Sequence, residues 1–358
     1  VSVLRYVLLS ANTALAVVFV LACVAPLVHP STNWIPGILS LFFPYLFLLL
    51  SVFLVFWLLS SSRSWALLSL FALLFAAPHI PAYYGISSGP GLKLDEEALV
   101  MSFNIQEFQL VRGQTRQKTS TVFKEIASYI QKYGTPDLLC VQDYTKENEA
   151  FFSDFLKYKQ RHVFGKHRVK TAIFSKTPII KKGEIDFENS FSSCVWVDLK
   201  FGTDTIRVYS VHLESNQISK DTEEMLSQEE VSEEALRKKI RTMLRKYKRS
   251  AAARVDQASQ ITEHVKESPY PVVLCGDLND IPLSMTYRKM KGRLNDSFRK
   301  KGRGFGATYA GGIPGLRIDY IFASESLDFL ESNILSDQAF SDHYAVMARI
   351  RFNKVANE

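Results

Sequence analysis

Apart from two arginines, Arg5 and Arg63, the first 90 residues of this 358-residue chain carry no formal charge, while the remainder holds nearly all of its 43 basic and 36 acidic side chains. The mean hydropathy of +0.00 hides this division. A change of that kind marks a boundary between two parts, and the length suits a membrane segment followed by one large globular domain.

Three apolar runs fill the first part. Residues 7–28 hold no charged side chain and meet the roughly 20 residues that a helix needs to cross a hydrocarbon core. Further runs cover residues 35–60 and 65–84, with Trp34, Trp57, Trp65, Tyr83 and Tyr84 near their ends. Pro44 is tolerable inside a span where neighbouring helices satisfy the freed carbonyl. A cleaved signal peptide would explain the first run but not the next two. The expectation is therefore an anchor of about three transmembrane helices over residues 1–86, with Arg5 and Arg63 cytoplasmic and the C-terminal domain extracytoplasmic. Uncharged spans make a poor transport path, so anchoring is the expected role.

Residues 87–95, with the turn formers of SSGPGLK, read as a linker to a domain over 96–358. In that domain short β-rich runs recur: ALVMSFNI, DLLCVQDY, TAIFSK, CVWVDLKF, TIRVYSVHL, PVVLCGDL, RIDYIFA and YAVMARIRF. Val122, Ile126, Tyr129 and Ile130 form one helical apolar face, and Val255, Ala258, Ile261 and Val265 another. Mixed α and β structure follows. Residues 216–250 are charge-dense, acidic first and basic last, as suits a helical insertion; Ser227 and Glu230 have the spacing of a capping box. The four cysteines, Cys23, Cys140, Cys194 and Cys275, show no metal-ligand spacing and read as buried free thiols. The net charge of +7 suits a polyanionic substrate or an anionic bilayer, and equally an ordinary lysine-bearing surface.

The chemistry lies in an ordered series of polar motifs: FNIQ at 103–106, VQD at 141–143, VHLES at 211–215, GDLND at 276–280, RIDYIF at 317–322 and SDHYAV at 341–346. Singly each is weak; a lone His212 is more often structural than catalytic. In this order, over about residues 98–352, they resemble the endonuclease/exonuclease/phosphatase superfamily, the DNase I-like proteins. The resemblance implies an α+β, four-layer α/β/β/α sandwich with the active site at one end of its sheets.

It also implies roles. Asn104, Asp143 and Asp342 match metal-binding positions, with hard oxygens suited to Mg²⁺ or Mn²⁺. Asp277 and Asn279 match the residues that orient the attacking water and bind the scissile phosphate. His343 matches a histidine that serves as general base or as donor to the phosphate, Asp319 the carboxylate that orients it, and His212 a donor on the phosphate side. Two positions depart from the pattern. Asp143 stands where relatives usually have Glu, so the cation could sit deeper, bind through water or bind poorly. Gln106 stands where some relatives have a second acid, which favours one metal.

The expected function is a membrane-anchored, metal-dependent phosphoester hydrolase, a phosphodiesterase or nuclease. A phospholipid head-group phosphodiesterase is the alternative substrate class, and a catalytically silent membrane binding protein is the alternative from another class. A transporter regulated by the soluble domain ranks last. The expected partners are a phosphoester substrate and the membrane; no motif points to a protein partner.

Overall fold

A computed structural model of the chain describes residues 2–87, 97–108, 119–188, 190–215, 232–337 and 340–352. Most of the expected linker, and the Ser227–Glu230 capping box, lie outside the described residues.

Two six-stranded mixed sheets pack face to face. One runs β10 (Asn295–Asp296), β12 (Asp319–Ala323), β9 (Val272–Asp277), β8 (Asp204–His212), β7 (Ser193–Phe201), β6 (Ile179–Asp186). The other runs β13 (Leu327–Leu335), β14 (Ala345–Phe352), β2 (Glu97–Asn104), β3 (Leu138–Tyr144), β5 (Lys170–Ser175), β4 (Gln160–Phe164). Side chains alternate across a strand, and both faces of the central strands are apolar. Val100, Cys140, Val197, Val208, Val273 and Ile321 meet in the core between the sheets. Their sequence neighbours face outward under helices: Met101, Phe103 and Val141 beneath α5 (Thr119–Lys132), and Tyr209, Leu274 and Tyr320 beneath α6 (Glu233–Lys266). This is the expected DNase I-like four-layer sandwich. All four cysteines are free and buried.

α6 joins two segments that the sequence suggested separately, the charged insertion and the later amphipathic helix, in one 34-residue helix. Ser232 caps it, accepting from Ala235 N, and Glu233 and Glu234 open its first turn.

The expectation of three spanning helices is not met. Among the described residues one helix, α1 (Ser2–Cys23), is long and apolar enough to cross a membrane. The second run breaks after α2 (Ile35–Ser40), and α3 (Phe43–Leu59) restarts with Pro44 in its first turn. There the missing N–H costs no helical hydrogen bond; in the interior of a continuous helix it would. The third run forms only the nine-residue α4 (Ala66–Leu74), and Pro78 and Pro81 follow it. α3 and α4 pack along α1.

These helices share a core with the sandwich. Phe19, Phe43, Leu50 and Ala72 cluster with Ile281, Leu283 and Ile318, and Trp34 and Ile38 pack on Tyr247 and Ala251 of α6. The approach at α2 is close: a Cβ on Gly37 would lie 2.6 Å from the Tyr247 hydroxyl. Polar bonds cross the same boundary. Tyr45 Oη donates to Pro314 O at 3.0 Å and Arg317 Nη1 to Ala82 O at 3.1 Å.

Candidate active site

Strand direction gathers the motifs. β2 runs parallel to β3, and β8 to β9, so Asn104, Asp143, His212 and Asp277 all emerge at the C-terminal ends of their strands. β12 and β14 run antiparallel to β9 and β2, so Asp319 and the 341–343 loop arrive at the same end from the opposite direction. Register completes the assembly, with His212 opposite Asp277 and Asp277 opposite Asp319. Gly276 has to be glycine. Its φ is +147°, and a Cβ there would sit 2.0 Å from the Val211 carbonyl oxygen.

A cleft of about 360 Å³ opens at this end. Asn104, Gln106, Asp143, His212, Asp277, Asn279, Asp342 and His343 line it, and Asp319 sits behind His343. All eight residues singled out as catalytic or metal-binding are thus brought together, with Gln106 beside them.

Asp277, 1 % exposed, is the hub. Its Oδ2 accepts from Asn104 Nδ2 at 3.0 Å and faces His212 Nε2 at 3.7 Å and His343 Nε2 at 3.8 Å. Its Oδ1 accepts from the backbone N–H of Asn279 at 2.7 Å. Asn279 in turn donates Nδ2 to Leu213 O at 2.9 Å. The Asp319 carboxylate receives His343 Nδ1 at 2.9 Å, which leaves Nε2 turned towards the cleft. His212 Nδ1 lies 3.2 Å from Asp143 Oδ1.

The charges are interdependent. Burial alone would lower both histidines. For His212 the attraction of Asp143 and Asp277 outweighs burial and raises its pKa to about 9. For His343, Asp319 and Asp277 do the same, to about 10, so the proton shared with Asp319 rests on the imidazole.

Backbone strain concentrates here. Asp143 (φ +54°) and Asn279 (φ +50°) are left-handed, as are the consecutive Gln106, Glu107 and Phe108. Non-glycine residues hold such angles only where their surroundings enforce them. At Glu107 that enforcement includes Arg168, with Nη2 at 2.6 Å from its carboxylate.

The donor chemistry fits a hard divalent cation. Four carboxylates, Asp143, Asp277, Asp319 and Asp342, face two imidazoles, and the excess of oxygen ligands is the composition such an ion takes. Asp277, Asp319 and His343 bring ligand atoms within 4.8 Å of one another. That trio, however, is buried. Asp143 and Asp342, with side chains 21 % and 18 % exposed, open onto the cleft, Asp143 beside His212 and Asp342 accepting from Ser341 Oγ, and their exposure makes them the better-placed ligands.

Several supporting residues carried no signal of their own in the sequence. Thr308 Oγ1 accepts from the backbone of both Ile318 and Asp319 at 3.0 Å, fixing the start of β12. Tyr309 sets its ring edge-on to His343 at 5.3 Å. Ser341, inside the SDH motif, bridges Asn104 O at 2.8 Å and the His343 backbone. The cleft lining also has apolar members: Val169, Phe191, Ile313, Leu316 and Leu41. Leu41 comes from the turn between α2 and α3, within the N-terminal segment.

A profile of the endonuclease/exonuclease/phosphatase family matches residues 101–343. The chain belongs to that family. A second profile, of a domain of unknown function, matches residues 5–83. No curated protein matches the chain. Among solved structures, a family protein from Bacteroides thetaiotaomicron aligns with a TM-score of 0.55 at 18 % identity, over 72 % of this chain and 96 % of that one. The mannosyl-6-phosphatase of the same organism gives 0.53 at 18 %, over 71 % and 100 %. TDP2 from D. rerio, in complex with a single-strand DNA product, gives 0.51 at 13 %, over 72 % and 100 %. These identities establish the shared fold, that of a family of phosphoester hydrolases whose members include nucleases and phosphatases.

Proposed function

We propose that the chain is a divalent-cation-dependent phosphodiesterase, held at a membrane by its N-terminal helix. The observation that carries this reading is the convergence of Asp277, His343–Asp319, His212 and the open Asp143–Asn104–Asp342 edge on one cleft.

In this reading Asn104, Asp143 and Asp342 would hold a Mg²⁺ or Mn²⁺ ion, whose charge would offset that on the phosphoryl oxygens. Asp277, an acceptor fixed by two donors, orients the attacking water, and Asn279 bonds the scissile phosphate. With Asp277 serving the water, His343 serves as donor: Asp319 holds its Nδ1 proton and Nε2–H faces the developing phosphoryl charge. His212 donates from the other side. The basic surface favours a polyanion such as nucleic acid, the class bound by the TDP2 neighbour.

A second substrate class has its own support. The apolar part of the lining, with Leu41 supplied by the N-terminal segment, suits a phosphodiester that carries a hydrophobic group, as a phospholipid head-group ester does.

Anchoring is supported by the surface of the N-terminal part. Among the described residues, all exposed large apolar side chains except Ile180, Phe191, Ile240, Tyr270 and Phe305 lie between Val3 and Ile86, a density that water-exposed surfaces do not carry. Tyr6 at the start of α1 packs 5.8 Å from Trp65, so Arg5 and Arg63 sit at one end, away from the sandwich. The positive-inside tendency then supports a catalytic domain outside the cytoplasm.

The test is hydrolysis by the detergent-solubilised full chain of bis(p-nitrophenyl) phosphate, plasmid DNA and phospholipid, with Mg²⁺, with Mn²⁺ and with chelator, alongside Asp277→Asn and His343→Ala. Cation-dependent turnover lost in both variants supports the enzyme, and the preferred substrate names its subclass. No turnover by folded wild type on any substrate favours the silent binding protein.

A further inference from the structure

A two-stranded ribbon and a run of basic residues, both outside the cleft, take no part in this chemistry. We propose that together they form a docking surface for an anionic lipid leaflet, seating the catalytic domain against the membrane that holds α1. The proposal rests on the anchored reading above.

The ribbon pairs β1 (Tyr84–Ile86) with β11 (Arg303–Phe305), Tyr84 opposite Phe305 and Ile86 opposite Arg303. Alternation puts those four side chains on one face and leaves Gly85 and Gly304 on the other. On the glycine face a Cβ at Gly85 would lie 2.2 Å from the Gly302 carbonyl oxygen, while one at Gly304 would meet nothing within 4 Å. The side-chain face is open to solvent. Ile86 is 89 % exposed, Phe305 83 % and Tyr84 47 %, with the two rings edge-on at 5.3 Å. In water such a ribbon is a liability. At a bilayer interface, aromatic and aliphatic side chains beside an arginine are favourable.

The charge is complementary to anionic lipid. Between Arg288 and Arg303 lie eight basic side chains and one acid, Asp296. Asp296 is buried and paired with Arg317 at 2.5 Å, so it does not offset the surface. The run also sits at the right level. Arg288 Nη1 donates to Pro26 O, just past α1, and Arg299 Nη2 to Pro78 O, just past α4. Both bonds hold the basic run where the apolar helices end, so the patch continues their lipid-facing surface. Nucleic acid would use the charge and could stack a base on Phe305, but it gains nothing from Ile86; a lipid leaflet uses all three.

The test places an environment-sensitive fluorophore on Phe305→Cys in the full chain, reconstituted in phosphatidylcholine vesicles with or without phosphatidylserine. The native cysteines are buried, which favours labelling at the new site. The expected result is a blue shift of emission with phosphatidylserine, lost on combining Lys300→Glu, Lys301→Glu and Arg303→Glu. In parallel, quenching of the native tryptophans, Trp57 and Trp65 among them, by brominated acyl chains reports whether the helices are in the bilayer. Quenching without a blue shift overturns the docking surface and leaves the anchor standing. A blue shift that needs no phosphatidylserine, or survives charge reversal, overturns the role of anionic lipid. Absence of tryptophan quenching overturns the anchored reading itself.

Discussion

Two of the regions that bury charge in this molecule do so on opposite terms. Under the N-terminal helices, Arg317 and Asp296 form a closed account of one cation and one anion. The carboxylate accepts from Arg317, from Tyr287 Oη at 2.7 Å and from Phe298 N at 2.9 Å. The guanidinium also bonds Ala82 O and stacks 4.7 Å over both Phe298 and Tyr320. In the cleft, four carboxylates crowd two imidazoles on strained backbone. The same residue types thus serve cohesion where partners match in number, and binding where they do not.

The sharpest way to break that contrast is Asp277→Asn. It should lower turnover by about 10³-fold or more, as loss of a positioned catalytic group does, while the melting temperature stays level or rises because like-charge crowding is relieved. A melting temperature that falls with activity would place Asp277 with the cohesive charges. Arg317→Met should do the reverse, costing about 3–5 kcal/mol in denaturant unfolding by leaving Asp296 buried and unpaired. A loss under about 1 kcal/mol would mean the pair is not cohesive.

Cation binding should sharpen the comparison from the other side. Mg²⁺ or Mn²⁺ at about 100 times its dissociation constant should stabilise wild type by about 2.7 kcal/mol, read as a thermal shift, and should stabilise Asp143→Asn much less. Equal shifts in both would remove Asp143 from the cation site.

The smallest expected effect is in acid. Burial raises the Asp296 carboxyl, but Arg317 and the hydrogen bonds outweigh it and hold the pKa below the ordinary value. A depressed carboxylate contributes fully above its unfolded pKa of about 3.9 and loses that contribution as pH falls through the folded one. Wild type should therefore lose more stability below about pH 4 than Asp296→Asn does, in urea melts across pH. Parallel curves would contradict this.

What could be read from sequence divides along physical lines. Every strand recognised as a β-rich run lies inside a sheet. The four sheet edges, β4, β6, β10 and β13, were not anticipated. Interior strands are covered on both faces and read as continuous apolar runs such as VVLCGD, whereas an edge such as IIKKGEID mixes Lys and Glu into a strand that water reaches. The residues that converge on the cleft could be picked out because they sit in short motifs at strand ends. Leu41, Thr308 and Tyr309 were not, because their places depend on packing between distant segments. The three-span expectation failed on proline: hydropathy sums over Pro44, while helix geometry starts again there.

The segment Asp280–Leu283 follows Asp277 and Asn279, lines the cleft through Asp280 and Ile281, and enters the helical core through Ile281 and Leu283. Removing the helices would therefore expose Ile281 and Leu283 and take away the packing beside the loop that carries Asp277 and Asn279, so the sandwich is not built to stand without its helical segment.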